Sequence, residues 1–187
     1  MITEVKVPID ITVKSDPNYK GYTPLHLAVR NDKTEVVEFL VSNGAKLNAL
    51  SGENCGNSRA FEPQCYSPIH MAIIAKSVPM ITYLRSKGAS LKAHGLYTKP
   101  PVHFAVASSR EVLKYFLDLG LANSRMDHFA GGKTVLHFAA MGNDVELVKM
   151  LVIDYNADMS VRDKDGKTPL DVARNYHIIK FLRNPYA

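Results

Sequence analysis

The chain contains no apolar run approaching the roughly eighteen residues that a membrane helix needs, so no membrane partner is expected. It has only two cysteines, Cys55 and Cys65, set ten residues apart outside any C-x-x-C pattern, which argues against a zinc site. It lacks an Asn-x-Ser/Thr sequon, and Glu4, Lys6 and Asp10 interrupt the apolar residues at the N-terminus, so no signal peptide is read there. These absences lead to the expectation of a reducing compartment, cytoplasmic or nuclear, with a secreted pathogen effector as the alternative. A disulfide between the two cysteines would be unusual in that setting.

Catalytic signatures are missing as well. Gly132-Lys133-Thr134 looks like the tail of a phosphate-binding loop, but Asp127 stands where the first glycine belongs; Gly166-Lys167-Thr168 fails the same test at Val161. With no G-x-S-x-G, H-E-x-x-H or EF-hand loop either, the expectation is a chain that is not an enzyme and takes no cofactor or metal. Acid is scarce in the middle. Between Pro63 and Tyr115 there are seven basic residues (Lys76, Arg85, Lys87, Lys92, Lys99, Arg110 and Lys114) and one acid, Glu111, for a net +6. The other 16 basic and 17 acidic residues sum to −1. That segment is expected to attract an acidic partner, the plain alternative being a solvated basic face.

What the chain does have is a phrase it repeats. Gly21-Tyr22-Thr23-Pro24-Leu25-His26-Leu27-Ala28 returns as Tyr66-Ser67-Pro68-Ile69-His70-Met71-Ala72 and as Pro100-Pro101-Val102-His103-Phe104-Ala105. It returns twice more, as Gly132–Ala139 around His137 and as Gly166–Ala173 around Asp171. The register positions 26, 70, 103, 137 and 171 are 44, 33, 34 and 34 residues apart. A period near 33 predicts a repeat solenoid. Within a unit, Thr23-Pro24 starts a short helix, Thr as N-cap and Pro at the first helical position. Asn31-Asp32 breaks it, Val36, Val37, Phe39, Leu40 and Val41 follow at helical spacing, and Gly44 closes the second helix. Residues one repeat apart lie about 8–10 Å apart. The four register histidines therefore cannot share a metal that holds each ligand at about 2 Å.

This unit resembles the ankyrin repeat, G-x-T-P-L-H-x-A-A followed by a turn, a Val-Val-x-x-Leu-Leu helix and G-A-D-V-N, here Gly44-Ala45-Lys46-Leu47-Asn48. The resemblance covers residues 18–183 and implies an all-α ankyrin-repeat solenoid of helix-turn-helix units with β-hairpin loops. It also implies that His26, His70, His103 and His137 hydrogen-bond backbone between neighbouring units, and that Asn48 is a hydrogen-bonded hairpin residue. On it the chain divides into an N-terminal extended arm or cap (1–17), repeat 1 (18–49), an inserted finger loop (50–64), repeat 2 (65–94), repeat 3 (95–128), repeat 4 (129–162) and a truncated capping repeat (163–187).

The departures are informative. Val5, Val7, Ile9, Ile11 and Val13 share one parity and read as a strand that caps the first repeat; its rival role is pairing with a partner. Eleven extra residues separate units one and two. Pro100 takes the place of the capping Thr, and Asn156 stands where Gly is usual.

Ankyrin stacks bind through hairpin tips and the exposed face of the first helices. Carried over, the tips are Tyr19, Lys20 and Tyr22; Leu96, Tyr97 and Lys99; and His128 and Phe129. The helix positions are Arg30, Asn31, Ile74 and Met141. Tyr22, Tyr97, Phe129 and Arg30 are the leading anchors by residue type, the alternative being that each aromatic lies flat on its own loop. The expected function is a non-enzymatic adaptor, scaffold or inhibitor that binds an acidic peptide or domain, as a monomer or within a hetero-complex. Rivals are a structural subunit joined through the N-terminal strand and a nucleic-acid-associated factor using the basic repeats. No groove-reading element supports the second.

Overall fold

The computed structural model describes residues 9–16, 18, 19, 21–51, 65–92, 100–125 and 131–186. It resolves into two units, Met1–Thr98 and Lys99–Ala187. In the first, α1 (Pro24–Arg30) and α2 (Thr34–Ser42) form one antiparallel pair, and α3 (Pro68–Ile74) and α4 (Val78–Ser86) form the next. α1 packs on both α2 and α3. The second unit holds α5 (Pro101–Ala105), α6 (Arg110–Asp118), α7 (Val135–Met141), α8 (Val145–Ile153), α9 (Pro169–Val172) and α10 (Tyr176–Arg183). There α7 packs on α5, α8 and α9, while α10 closes on α8 and α9. No described helix is long and apolar enough to cross a membrane.

The expected hairpins are only sketched among the described residues, which hold no strand and one isolated antiparallel bridge, Arg125 to Thr134. Short backbone pairs do the closing instead. Ser51 N–H donates to Tyr66 C=O at 2.7 Å and Asp163 N–H to Lys167 C=O at 2.9 Å. The first of these pins the two ends of the insertion, whose residues 52–64 lie outside the described residues. Cys65, buried just after them, is disulfide-bonded. The chain's other cysteine, Cys55, lies outside the described residues.

Each short helix begins with the same device. Thr23 N–H donates to His26 Nδ1 at 3.1 Å, and the Thr23 hydroxyl sits 2.8 Å from the same nitrogen. Because Nδ1 accepts, Nε2 carries the proton and donates to Tyr66 C=O, 2.9 Å away in the next pair. The imidazole is therefore neutral, and burial holds its pKa below the ordinary value. Thr134 and His137 repeat this, with Nε2 reaching Lys167 C=O at 3.0 Å. Ser67 and His70 repeat the capping half at 3.2 and 2.8 Å.

The two exceptions have physical explanations. Asp171, in the last copy, accepts from both the N–H and the hydroxyl of Thr168 at 2.8 Å. A carboxylate can only accept, so this copy keeps the cap and has no ring N–H to offer to another carbonyl. Pro100 offers neither N–H nor hydroxyl, so His103 Nδ1 has lost both partners. The carbonyls of Lys133 and Ser124 approach the ring without reaching hydrogen-bond geometry, and both nitrogens are left unsatisfied. Burial pushes His103 down to about 4.

The second helices end in left-handed residues, at φ +87° for Gly44 and +101° for Gly88. Asn156 adopts the same region at +50° after α8, which an asparagine tolerates. The arm departs from its reading as a strand with one buried face: Ile11 is exposed, while Ile9 and Val13 are half-buried.

Two outcomes follow from the His103 site. The unfolded chain protonates this histidine near 6.5, whereas the folded chain resists until about 4. Its contribution to stability is therefore intact above 6.5 and declines as pH falls toward 4, by at most about 3 kcal/mol. Urea unfolding at about pH 7 and about pH 4.5 is expected to show that loss, and His103→Leu to reduce it. Pro100→Thr, which restores the cap and the ring's partners, is expected to raise the urea midpoint at neutral pH by about 1 kcal/mol equivalent.

Candidate protein-binding surface

The repeat geometry sorts side chains into those that hold the stack and those it leaves free. Four residues after each register position, about one turn on, the short helix ends and its side chains leave the core. In the first unit these residues are Arg30 on α1 and Ile74 on the adjacent α3; in the second they are Ala107, just beyond α5, and Met141 on α7. Arg30 is half-buried and the other three are exposed. Ile74 and Met141 are among the few exposed large apolar side chains of the described residues. Asn31, also exposed, is partly occupied in capping α1, its Nδ2–H donating to Leu27 C=O at 2.8 Å.

Tyr22 is placed otherwise than a tip anchor. It is 8% exposed, its ring centroid 5.4 Å from that of His26 and 5.7 Å from that of Tyr19 in an edge-to-face arrangement. Tyr66, at the same register, lies 6.0 Å from His70. The recurrence of Tyr two residues before the proline was the available signal that this ring packs on the register histidine. Above it, the Arg30 guanidinium sits 5.2 Å over the Tyr19 ring, a cation–π geometry. Burial raises the Tyr22 pKa, with Arg30 acting against it through charge and a hydrogen bond. The structure thus brings Tyr19, Tyr22 and Arg30 together, with Tyr22 as the support and the other two reaching solvent. Lys20, Leu96, Tyr97, Lys99, His128 and Phe129 lie outside the described residues.

The basic segment is spread over several elements. In the first unit Lys76, Arg85, Lys87 and Lys92 are exposed, with the Lys87 ammonium 5.5 Å over the Tyr83 ring. In the second, Lys114 is exposed, but Arg110 pairs with Asp144, the N-cap of α8. Both partners of that pair are half exposed, so it contributes little to stability.

One charged feature was not legible in the sequence. Lys133 Nζ lies 3.0 Å from Asp163 Oδ2, whose side chain is fully buried, while Asp163 Oδ1 accepts N–H bonds from Asp165 and Lys167 at 2.9 Å. Burial acts to raise the Asp163 pKa, but those donors and the Lys133 charge prevail and hold it below the usual carboxylate value. The pair ties the loop before α7 to the loop before α9. Its two members are thirty residues apart in the chain, and nothing in the spacing announces them.

Comparison with known proteins agrees with this geometry. The family model for ankyrin repeats in three copies matches residues 102–187, and the single ankyrin repeat model matches residues 20–51. Among similar proteins, the BTB/POZ domain and ankyrin repeat-containing protein NOOT2 of Medicago truncatula is 46% identical over 74 residues. The BTB/POZ domain and ankyrin repeat-containing protein NPR5 of Oryza sativa subsp. japonica is 47% identical over 76 residues, and the regulatory protein NPR5 of Arabidopsis thaliana is 45% identical over 74. Each alignment takes in 39% of this chain but only 14 or 15% of the relative. The α3–α4 pair falls between the two matched segments, yet it carries the same Ser-Pro cap, capping box and register histidine. With the matched segments together spanning more than half of the residues, the chain belongs to the ankyrin repeat family.

Proposed function

We propose that this protein is a non-enzymatic protein-interaction module, of adaptor, scaffold or inhibitor type, whose first unit binds an acidic segment of a partner through Tyr19, Arg30, Asn31 and Ile74. The observation that carries this reading is the Arg30 site. Its guanidinium is steadied by the Tyr19 ring and by Tyr22, and among the described residues no carboxylate pairs with it. A cation held in place over an aromatic and left without a counter-charge suits a carboxylate ligand, and the guanidinium fork can grip one in two places. Ile74 on the neighbouring helix adds an apolar contact beside it.

The second unit offers the equivalent position at Met141, a side chain that adapts to varied apolar partners. The exposed lysines and arginines around these positions strengthen the attraction for acid at a distance. The ankyrin repeats of this chain, and the name of one relative, the regulatory protein NPR5 of Arabidopsis thaliana, support the general reading. The acidic ligand rests on the charge pattern and on Arg30.

Peptide display against the full chain is expected to enrich sequences rich in Asp and Glu. Binding of the selected peptides is expected to weaken about tenfold on Arg30→Ala, the cost of removing an interface anchor of this kind. It is also expected to fall as ionic strength rises from about 0.1 to about 1 M, where screening shortens from about 10 to about 3 Å. Enriched peptides without acid, or binding that tolerates both changes, would overturn the proposal.

A further inference from the structure

The loops of the second unit gather positive charge that the composition hides. Outside the basic middle segment the chain sums to −1, yet Arg125, Arg162, Lys164 and Lys167 all reach solvent around the turns that precede α7 and α9. Those turns are tied to each other. Lys164 N–H donates to Gly131 C=O at 2.6 Å, and the Lys133–Asp163 pair links the same two turns. Arg125 Nη2–H donates to Arg162 C=O at 2.8 Å, and Arg162 Nη1–H donates to Gly166 C=O at 2.7 Å. A methyl group on Gly132 would lie 3.2 Å from Arg125 Nη2 and 3.7 Å from Lys164 Cγ. The bare glycine, at φ +74°, therefore lets a guanidinium and a lysine stem close over one turn.

These cations are fixed without being neutralised. Each guanidinium is held by one uncharged carbonyl, which orders it and leaves its remaining N–H donors for another acceptor. Among the described residues, none of Arg125, Arg162, Lys164 and Lys167 forms an ion pair. Asp163 is buried against Lys133, and Asp171 commits Oδ2 to Thr168. Four exposed cations thus stand against two exposed acids, Asp165 and Asp171. The likeness of Gly132-Lys133-Thr134 to a nucleotide-binding loop does not explain the cluster. Lys133 is engaged by Asp163, and the Thr134 hydroxyl sits 2.8 Å from His137 Nδ1, so neither is available to a nucleotide.

We propose that this surface is a second binding site, for a phosphorylated segment of a partner protein, with Arg125 and Lys164 holding the phosphoryl group over Gly132 and Arg162 and Lys167 adding charge around it. A phosphoryl group brings up to two negative charges and three strong acceptor oxygens, which suits several fixed donors better than a single carboxylate does. The two interspersed acids favour one isolated phosphate over a nucleic-acid strand, whose closely spaced charges would meet them as well. The site lies in the second unit and does not involve Arg30, so either surface can fail without the other.

The test screens a library of phosphoserine-centred peptides against the full chain and measures each captured peptide beside its unphosphorylated copy. The phosphorylated form is expected to bind at least about tenfold more tightly, and Arg125→Ala and Lys164→Glu each to weaken it by about tenfold. Lys180→Ala, which removes an exposed charge from α10, is expected to leave binding unchanged. Arg125→Ala also removes the bond to Arg162 C=O; Lys164→Glu keeps the Lys164 N–H bond to Gly131 and so answers the question if the first variant disturbs the turn. Capture of no phosphopeptide, equal binding of the two forms, or binding indifferent to Lys164→Glu would overturn the proposal. So would an equal loss in Lys180→Ala, which would mark general charge attraction. A single-stranded RNA oligonucleotide that displaces the peptides at lower concentration, and itself depends on Lys164, would overturn it in favour of nucleic acid.

Discussion

The bond on which the rest of the molecule depends is the one from the register histidine to the backbone of the next repeat. A hydroxyl and an N–H at the helix start hold Nδ1, which forces the proton onto Nε2 and aims it at a carbonyl thirty to forty residues away. One side chain thereby caps its own helix and sets the distance to its neighbour. Burial of a neutral imidazole costs little so long as both nitrogens are engaged. The same arrangement makes the stack vulnerable to acid, because a proton on Nδ1 removes an acceptor from the cap.

The two departures from that rule show what it requires. Asp171 keeps the accepting half alone, taking the N–H and the hydroxyl of Thr168 on one carboxylate oxygen. His103 keeps the ring but loses its support to Pro100, leaving two unsatisfied buried nitrogens in the second unit. Elsewhere the loops carry the load. Asp10, Asn48 and Asn123 each fasten the backbone that follows a second helix, and the buried Asp163–Lys133 pair joins two loops in the second unit. Stability in such a chain is shared among neighbouring repeats, so a defect at one junction is felt mainly there.

Binding surface and scaffold are separated by four residues. His26 is buried and holds; Arg30, one turn on, is steadied by Tyr19 and faces solvent. Tyr22 lies between them as the packing that links the two roles. A repeat protein can vary the outward position freely because the inward one maintains the fold, which is why Arg30, Ile74, Ala107 and Met141 differ in character while their histidines do not.

The sequence by itself determined the repeat, the helix starts and the register. Those signals are local: a cap followed by proline, an apolar face at helical spacing and a left-handed residue at the end. It also pointed to Arg30, Ile74 and Met141 by their offset from the histidine. Only the tertiary structure decided that Tyr22 is support, since burial depends on what lies across the loop. Likewise it revealed the pairing of Lys133 with Asp163 and the orphaning of His103, which depend on atoms from distant parts of the chain. The exposure of Val36 and Phe39 has the same origin: large side chains stand at the same register in α4 and α8, as Met80 and Leu147 or Tyr83 and Met150, yet are more buried there, because burial is set by what packs beside the helix.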